Sequence, residues 1–280
     1  MLLASVLVLG YLFFFKRSSL KIKSKHFLAI FLYGFLSIYL TNALEFWSLQ
    51  HLTAAKTCFL YSLSPFFAAF FSYLHFGEKM NLRKALGMGL GVLGVLLPLV
   101  FTREESGATE GFFFLSWPEI TMIGAVLASV YGWVLLRRLV KDSDSCSSPA
   151  VNGFGMLIGG ALALVTSFSM DSWSNLPLNS LQFRTFAQNV LILTLISNVI
   201  CYNLYGWMLK RFTATFLSFA GLTSPIFASL HGWIFLSEQP SYFIFLSTGI
   251  FALGFWLVYS AEMKQGYLLQ APQKSPALQN

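Results

Sequence analysis

Nine apolar stretches separated by short polar segments dominate the chain. Most are close to the roughly 20 residues that a helix needs to cross a membrane. They cover residues 1–15, 27–49, 54–76, 85–101, 113–136, 150–169, 187–209, 214–236 and 242–260. The polar segments are too short for a soluble domain. The pattern therefore predicts an all-α polytopic membrane protein with nine transmembrane helices.

Part of the chain repeats itself 160 residues further on, without a gap. Between Ser37 and Leu97, seventeen of sixty-one positions are identical to their counterparts, and five of these are leucine matches that an apolar composition makes common. The informative identities are Trp47 and Trp207, Thr53-Ala54 and Thr213-Ala214, Ser64-Pro65 and Ser224-Pro225, Phe67-Ala68 and Phe227-Ala228, Glu78 and Glu238, Gly89 and Gly249, and Gly94 and Gly254. A repeat in a membrane protein is typical of a transporter built from two related halves.

Positive charge is concentrated on one side of the predicted membrane. Of the eighteen Lys and Arg residues, fifteen fall in one alternate set of loops and the tail, and three fall in the other set. Because cytoplasmic loops carry an excess of Lys and Arg, the rich set is predicted to face the cytoplasm, with the N-terminus outside and the C-terminus inside. Thr53 and its counterpart Thr213 then lie at opposite faces, so the two repeats are predicted to be inverted.

The offset also pairs the helices. It carries the second, third and fourth helices onto the seventh, eighth and ninth, and the first onto the sixth, so the fifth has no counterpart. We therefore expect a 5+5 parent architecture that lacks its first helix. Residues 1–102 would form the first repeat with four helices and residues 113–260 the second with five. Residues 261–280 would form a disordered cytoplasmic tail, because they are rich in polar residues and proline.

Composition narrows the classes of function. The 280 residues are 56% apolar and 10% charged, whereas about 25% of residues are charged in a soluble domain. The net charge of +7 follows from membrane orientation, so nucleic-acid binding is not expected. The three cysteines and four histidines are scattered without metal-ligand spacing. No metal or other cofactor is therefore expected.

A set of short motifs resembles a known family. In chain order the first repeat carries Ala43-Leu44, Thr53-Ala54-Ala55, Ser62-Leu63-Ser64-Pro65, Gly77-Glu78-Lys79, Gly87, Gly89 and Gly94-Val95. Through these motifs nearly the whole chain resembles the EamA module of the drug/metabolite transporter superfamily. Within that superfamily it bears a faint similarity to bacterial S-adenosylmethionine/S-adenosylhomocysteine carriers. The resemblance implies inverted repeats around a central substrate cavity, in the inner (plasma) membrane of a bacterium.

Two prolines mark candidate breaks in the third and eighth helices. Pro65 and Pro225 lie in the middle of their segments. Because proline cannot donate to the helical ladder, the carbonyls of Tyr61 and Gly221, four residues earlier, would lose their usual partners at mid-bilayer depth. The predicted substrate contacts at these breaks are Tyr61, Ser64, Gly221 and Ser224. A kink that only shapes packing is an equal alternative, and both interpretations predict bends in symmetry-related places.

Glu45 is the acidic residue that lies well inside an apolar segment. A charged side chain at the centre of a membrane helix costs roughly 2.5 to 3.5 kcal/mol on insertion scales, so it normally faces a cavity or a partner. Asn42, three residues earlier, shares its helix face. We interpret both as cavity-lining, with Glu45 a candidate proton- or cation-binding group. An ion pair between Glu45 and Lys56 near the outer surface is the alternative.

The seventh and eighth helices carry further candidates. Asn198, Tyr202 and Tyr205 lie at spacings of four and three, so they form one polar-aromatic stripe. Tyr205 is the repeat counterpart of Glu45, which predicts that both face the same space. The stripe is a candidate site for a planar or cationic ligand, with packing as the alternative. His231 is a candidate proton-linked group or a packing residue.

Glycines in two helices have the spacing of close helix contacts. Residues 89–94 spell a dinucleotide-binding fingerprint, but they lie inside an apolar segment rather than between a strand and a helix. Gly87 and Gly91, like Gly155 and Gly159, are better interpreted as helix-packing faces. Glu78 and Glu238 lie at helix ends, where capping or ion pairing is expected.

The leading hypothesis is a secondary active transporter of a small organic metabolite that works by alternating access. The metabolite would be an amino acid, a nucleoside or a molecule like S-adenosylmethionine. No phosphate-binding P-loop motif is present, so the chain is not expected to be an enzyme that hydrolyses ATP. A membrane-embedded transferase and an inactive or accessory truncated carrier are the alternatives. The predicted partners are the substrate and the lipid bilayer, and a homodimer is left open.

Overall fold

The structure is a computed structural model that describes residues 1–20, 22–52, 57, 60–101, 116–141, 146–170, 180–224, 226–227, 230, 233–234 and 242–267. The helices are α1 Leu2–Phe15, α2 Ser24–Leu49, α3 Ser64–Phe76, α4 Leu82–Phe101, α5 Trp117–Lys141, α6 Ser148–Met170, α7 in the consecutive segments Ser180–Leu193, Thr194–Cys201 and Tyr202–Met208, α8 Ala214–Gly221, and α9 Tyr242–Lys264. Over these residues the predicted all-α fold is confirmed.

Five stretches within the described residues are long and apolar enough to cross a membrane. They are Ser24–Leu49, Trp117–Lys141, Ser148–Met170, Phe183–Met208 and Phe245–Lys264. Large apolar side chains point away from the bundle, among them Phe14, Phe70 and Trp256, which are 78%, 57% and 63% exposed. Such side chains suit contact with lipid, because the apolar solvent of a membrane carries no penalty for them.

The helices α2 and α7 share an irregularity. Each contains a π-helical segment, Gly34–Leu40 in α2 and Thr194–Cys201 in α7. The two segments begin 160 residues apart, which is the offset of the sequence repeat. A π segment adds a residue to the turn and shifts the side chains that follow, and such segments often occur at functional sites. The duplication is therefore visible in backbone geometry as well as in residue identity.

The chain is also interrupted at equivalent places before α3 and after α8. The N–H of Leu63 donates to the carbonyl of Leu60 at 3.2 Å, and the counterpart bond from Thr223 to Ala220 is 3.1 Å. Both bonds reach back three residues instead of four, so the helical path turns more tightly there. Pro65 lies in the first turn of α3, where its missing N–H would have had no helical partner in any case.

The helices α4 and α9 cross at glycines. A Cβ atom added to Gly87 would lie 2.7 Å from the carbonyl oxygen of Gly254, and one added to Gly254 would lie 2.6 Å from that of Gly87. Further along α4, the hydroxyl of Ser247 donates to the carbonyl of Gly94. The numbering rises along one helix as it falls along the other, so the two helices are antiparallel. Their backbones touch because glycine leaves no side chain between them.

This contact gives a test of the packing. We expect Gly87→Val to lower stability by about 1 to 3 kcal/mol, because the new side chain would overlap the α9 backbone. Gly89→Val is the matched control, because Gly89 lies on the same helix and a Cβ atom added there would have no neighbouring atom within 4 Å. Thermal unfolding in detergent measures both variants. Equal melting temperatures for the two would contradict the close crossing.

A second glycine contact joins α2 to α6. A Cβ atom on Gly34 would lie 2.8 Å from the carbonyl oxygen of Gly155, and one on Gly159 would lie 2.8 Å from that of Gly34. Gly34 is also the first residue of the π segment of α2. The crossing therefore holds this segment against α6 and places the neighbouring Tyr33, which is fully buried, in the core.

Two buried ion pairs lie at the end of the bundle where α3 leads into α4. The Lys84 ammonium lies 2.7 Å from the Glu262 carboxylate, which also accepts hydrogen bonds from the Thr213 hydroxyl at 2.8 and 2.6 Å. Arg137 on α5 lies 2.6 Å from Glu78, in line with the ion pairing expected for that glutamate. Each of the four charged side chains is at most 5% exposed. The ion pairs therefore tie α4 to α9, and α5 to the loop between α3 and α4, at this end.

Candidate functional site

A polar-aromatic cavity lies at the centre of the bundle, between α2, α5, α7 and the two breaks. It has two adjoining lobes of about 300 and 360 Å³, which share Glu45, Tyr61, Trp133 and Tyr205. Pockets for small organic ligands usually start at a few hundred Å³ and combine apolar walls with a few polar groups. The size and lining of these lobes fit that description.

The structure brings most of the predicted site residues to this cavity. Asn42 and Tyr202 line the first lobe together with the four shared residues. Ser64, Gly221 and Ser224 line the second. Asn198 is buried but is not among the residues that line either lobe. Pro225 and His231 lie outside the described residues, whereas Gly87 and Gly91 lie on α4 at the contacts with α9 and α8.

Glu45 is at the junction of the two lobes. One of its carboxylate oxygens accepts a hydrogen bond of 2.7 Å from the Tyr61 hydroxyl. Among the described residues that line the lobes, Glu45 is the sole acidic one and there is no Lys, Arg or His. The cavity therefore carries unbalanced negative charge when Glu45 is ionised, which favours a proton or an organic cation. The alternative partner Lys56 lies outside the described residues.

The aromatic side of the cavity comes from α5 and α7. The rings of Trp133 and Tyr205 have centroids 5.0 Å apart and are tilted by 47°. Such faces attract cations and stack on planar groups. The sequence analysis did not identify Trp133, because the fifth helix has no counterpart in the repeat. Ser129, four residues earlier, also lines the first lobe. A polar residue one helical turn from Trp133 was therefore the sequence signal that this face of the helix lines a cavity.

A buried asparagine fixes the wall of the first lobe. Asn152 on α6 is fully buried and accepts a hydrogen bond of 2.9 Å from the Tyr33 hydroxyl. Its amide donates to the Tyr202 carbonyl at 2.8 Å and to the Asn203 side chain at 3.2 Å. These bonds join α2, α6 and α7 next to the cavity. Asn152 was also missed by the sequence reasoning, although an asparagine within an apolar segment is itself a signal of a polar partner.

Two of the expected polar groups are occupied by local hydrogen bonds. The Gly221 carbonyl, which was predicted to lose its helical partner, accepts a bond of 2.8 Å from the Ser224 hydroxyl. The Asn42 amide nitrogen donates to the Ile38 carbonyl in the π segment at 2.6 Å. A substrate that contacted these groups would therefore compete with, or add to, an existing bond.

This fold and cavity place the chain in the class of polytopic membrane transporters. The EamA-like transporter family matches residues 1–100 and 116–260, and the chain belongs to that family. A relative from Chlamydia muridarum (strain MoPn / Nigg), named S-adenosylmethionine/S-adenosylhomocysteine transporter, is 39% identical over 271 residues, which are 97% of this chain and 84% of the relative. The protein of that name from Chlamydia trachomatis serovar L2 is 39% identical over 269 residues, 96% of this chain and 81% of the relative.

A solved structure shares the fold. A crystal structure of a protein with 16% sequence identity superposes with a TM-score of 0.73, over 94% of this chain and 86% of that one. The family resemblance inferred from the sequence motifs, including the similarity to S-adenosylmethionine/S-adenosylhomocysteine carriers, is thus confirmed. The family and the names of these relatives point to a transporter in a bacterial membrane rather than to a membrane-embedded transferase.

Proposed function

We propose that the chain is a secondary active transporter that carries S-adenosylmethionine and S-adenosylhomocysteine across the bacterial membrane by alternating access. The main support for this proposal is the position of Glu45 beside Tyr61, Trp133 and Tyr205, where the two lobes of the cavity meet. The names of the relatives that are 39% identical supply the substrate class.

The chemistry of the cavity suits these two molecules. Both contain a planar adenine and an amino-acid group with a cationic ammonium, and S-adenosylmethionine has an additional sulfonium cation. Adenine can stack on the tilted rings of Trp133 and Tyr205, and the cationic groups are attracted by aromatic faces and by the Glu45 carboxylate. Both ligands can use the aromatic rings and hydroxyls of the cavity. The second positive charge, on the sulfonium, belongs to S-adenosylmethionine alone.

The contact between α4 and α9 supports inverted repeats and hence alternating access. The α4–α9 contact pairs Gly87 with Gly254 and Gly94 with Ser247. Adding the offset of 160 to Gly87 gives Ser247, and adding it to Gly94 gives Gly254, so the contact exchanges equivalent residues between antiparallel helices. A two-fold axis in the membrane plane, running between these helices, would produce this arrangement.

The orientation belongs to the same proposal. The end of the bundle that holds the Lys84–Glu262 and Arg137–Glu78 pairs is assigned to the cytoplasm, because the loops there carry the excess of Lys and Arg. The Arg137–Glu78 pair would then help to close the cytoplasmic side of the cavity and would have to separate before substrate could leave in that direction, whereas the Lys84–Glu262 pair joins α4 to α9 and can stay closed.

Uptake into vesicles tests the substrate. We expect vesicles that contain the purified protein to take up labelled S-adenosylmethionine faster than protein-free vesicles, and faster still when they are loaded with S-adenosylhomocysteine. Unlabelled S-adenosylmethionine and S-adenosylhomocysteine should compete, whereas methionine or adenosine alone should compete weakly, because each fills only part of the cavity. Uptake equal to that of protein-free vesicles would contradict the proposal. Stronger competition by an unrelated amino acid or nucleoside would reassign the substrate.

A further inference from the structure

A second cavity lies away from the substrate site, between the beginning of α2, the end of α3 and the last part of α5. Its volume is about 420 Å³. The polar side chains that line it are Lys25, His26, His75, Tyr131 and Arg138. Among the described lining residues none is acidic. Four nitrogen-bearing side chains and one hydroxyl therefore converge on one cavity, and its described lining contains no carboxylate.

His26 provides an independent observation that points to a ligand in this cavity. Its side chain is 8% exposed, and its Nε2 atom is buried without a hydrogen-bond partner in the described part of the chain. A buried polar nitrogen that makes no hydrogen bond costs free energy, so such atoms normally have a partner. Because His26 lines the cavity, a ligand there could provide that partner.

The other polar groups suit an oxygen-rich anion. The Nδ1 atom of His75 lies 3.1 Å from the Phe71 carbonyl, so it carries the proton and donates. Its Nε2 atom is 3.5 Å from the Tyr131 hydroxyl, a distance too long for a good hydrogen bond. The Tyr131 hydroxyl is thus free to turn to a better acceptor. Arg138 adds a planar guanidinium, which recognises phosphate oxygens in pairs.

The remaining walls are apolar and continue onto the outside of α2. Leu28 and Leu32 line the cavity beside the basic groups. Leu28 is 66% exposed and its neighbour Phe27 is 67% exposed. On the lipid-facing side of a membrane helix, such residues would contact acyl chains. The cavity therefore joins a basic end to an apolar flank, as a phospholipid with an anionic headgroup requires.

We propose that this cavity binds the phosphate group of an anionic phospholipid, with the acyl chains lying along α2. The leaflet is the one at the face rich in Lys and Arg, because Lys25 and Arg138 lie near the ends of α2 and α5 at that face. Basic pockets between membrane helices at such a face are recognised headgroup sites. The bound lipid would link α2, α3 and α5 at the same end as the buried ion pairs.

Lipid retention by the purified full-length protein tests this site without reference to transport. The protein in detergent is mixed with phosphatidylglycerol or with phosphatidylcholine of the same acyl chains, and bound lipid is counted by native mass spectrometry. We expect phosphatidylglycerol to be preferred, and Arg138→Gln to weaken its binding about fivefold, since one basic group near a membrane surface contributes about that factor. His26→Gln should weaken it as well.

The matched control is Arg83→Gln, which removes an equal charge from an exposed position at the start of α4. Arg83 does not line the cavity, so this variant should retain phosphatidylglycerol like the unmodified protein. Equal retention of the two lipids, or equal losses in Arg138→Gln and Arg83→Gln, would overturn the site. Displacement of phosphatidylglycerol by inorganic phosphate at similar concentrations would overturn the lipid assignment, because a site that also holds the acyl chains should favour the lipid strongly.

Discussion

Glu45→Gln is expected to reduce uptake of S-adenosylmethionine by about 10- to 100-fold, because hydrogen bonds and contacts to a charged group in a protein interior contribute about 1.5 to 3 kcal/mol. Glutamine keeps the shape of the side chain and can still accept the bond from Tyr61, which is 2.7 Å long in the structure. The loss would therefore come from the charge. Initial rates in vesicles at several pH values measure the effect, and any pH dependence due to this carboxyl should flatten, since glutamine does not titrate.

Tyr61→Phe is the control for this prediction. It removes the hydroxyl that binds Glu45 but leaves the carboxylate in place, so its effect on uptake should be smaller than that of Glu45→Gln. Melting temperatures of the two variants should stay close to that of the unmodified protein, because neither creates a large cavity. Unchanged uptake with an unchanged pH profile in Glu45→Gln would show that Glu45 is not the proton-linked group.

Lys84→Met is expected to lower the free energy of unfolding by about 3 to 5 kcal/mol, since removal of one partner leaves the other charge buried without compensation. The stranded Glu262 carboxylate is fully buried and would keep only its bonds from the Thr213 hydroxyl. Thr213 also caps α8 through the N–H of Phe216 at 2.9 Å, so the damage would reach the helix that lines the second lobe.

A double-mutant cycle separates the ion pair from other effects of these changes. Lys84→Met combined with Glu262→Leu should cost clearly less than the sum of the single changes, because no unpaired charge remains. Lys79→Met is the matched control: Lys79 is exposed on the loop before α4, and its replacement should change stability by less than about 0.5 kcal/mol. Unfolding by titration with a denaturing detergent measures the four variants and the unmodified protein. Additive single costs would show that the pair contributes no coupling.

The helices and part of the cavity could be predicted from the sequence for a physical reason. Apolar length and repeated identities are local properties, so they give the helices and the equivalence of Glu45 and Tyr205. Contacts between distant segments leave no such trace. Nothing in the sequence pairs Lys84 with Glu262, or Asn152 with Tyr33, since each pair is made only when the helices pack.

The fifth helix shows the limit of the repeat itself. The offset indicates which positions are equivalent but says nothing about a helix that has no counterpart. Trp133 lies on that helix and lines both lobes of the cavity. The π segments could not be predicted from the sequence either. Their extra residue per turn depends on the packing of α2 and α7 rather than on a distinct residue pattern.

The α4–α9 crossing has a consequence for the energetics of transport. In the proposed cycle, exchange of the two halves would turn the Gly87–Gly254 contact into the Ser247–Gly94 contact, so the crossing would map onto itself and could stay intact as a fixed pivot. The pair of Glu45 and Tyr61 does not share this property, since exchange replaces it with Tyr205 and Gly221, which carry no charge. In the proposed alternating-access cycle, the Glu45 carboxyl would therefore have different surroundings in the two end states, so the empty carrier would favour one of them.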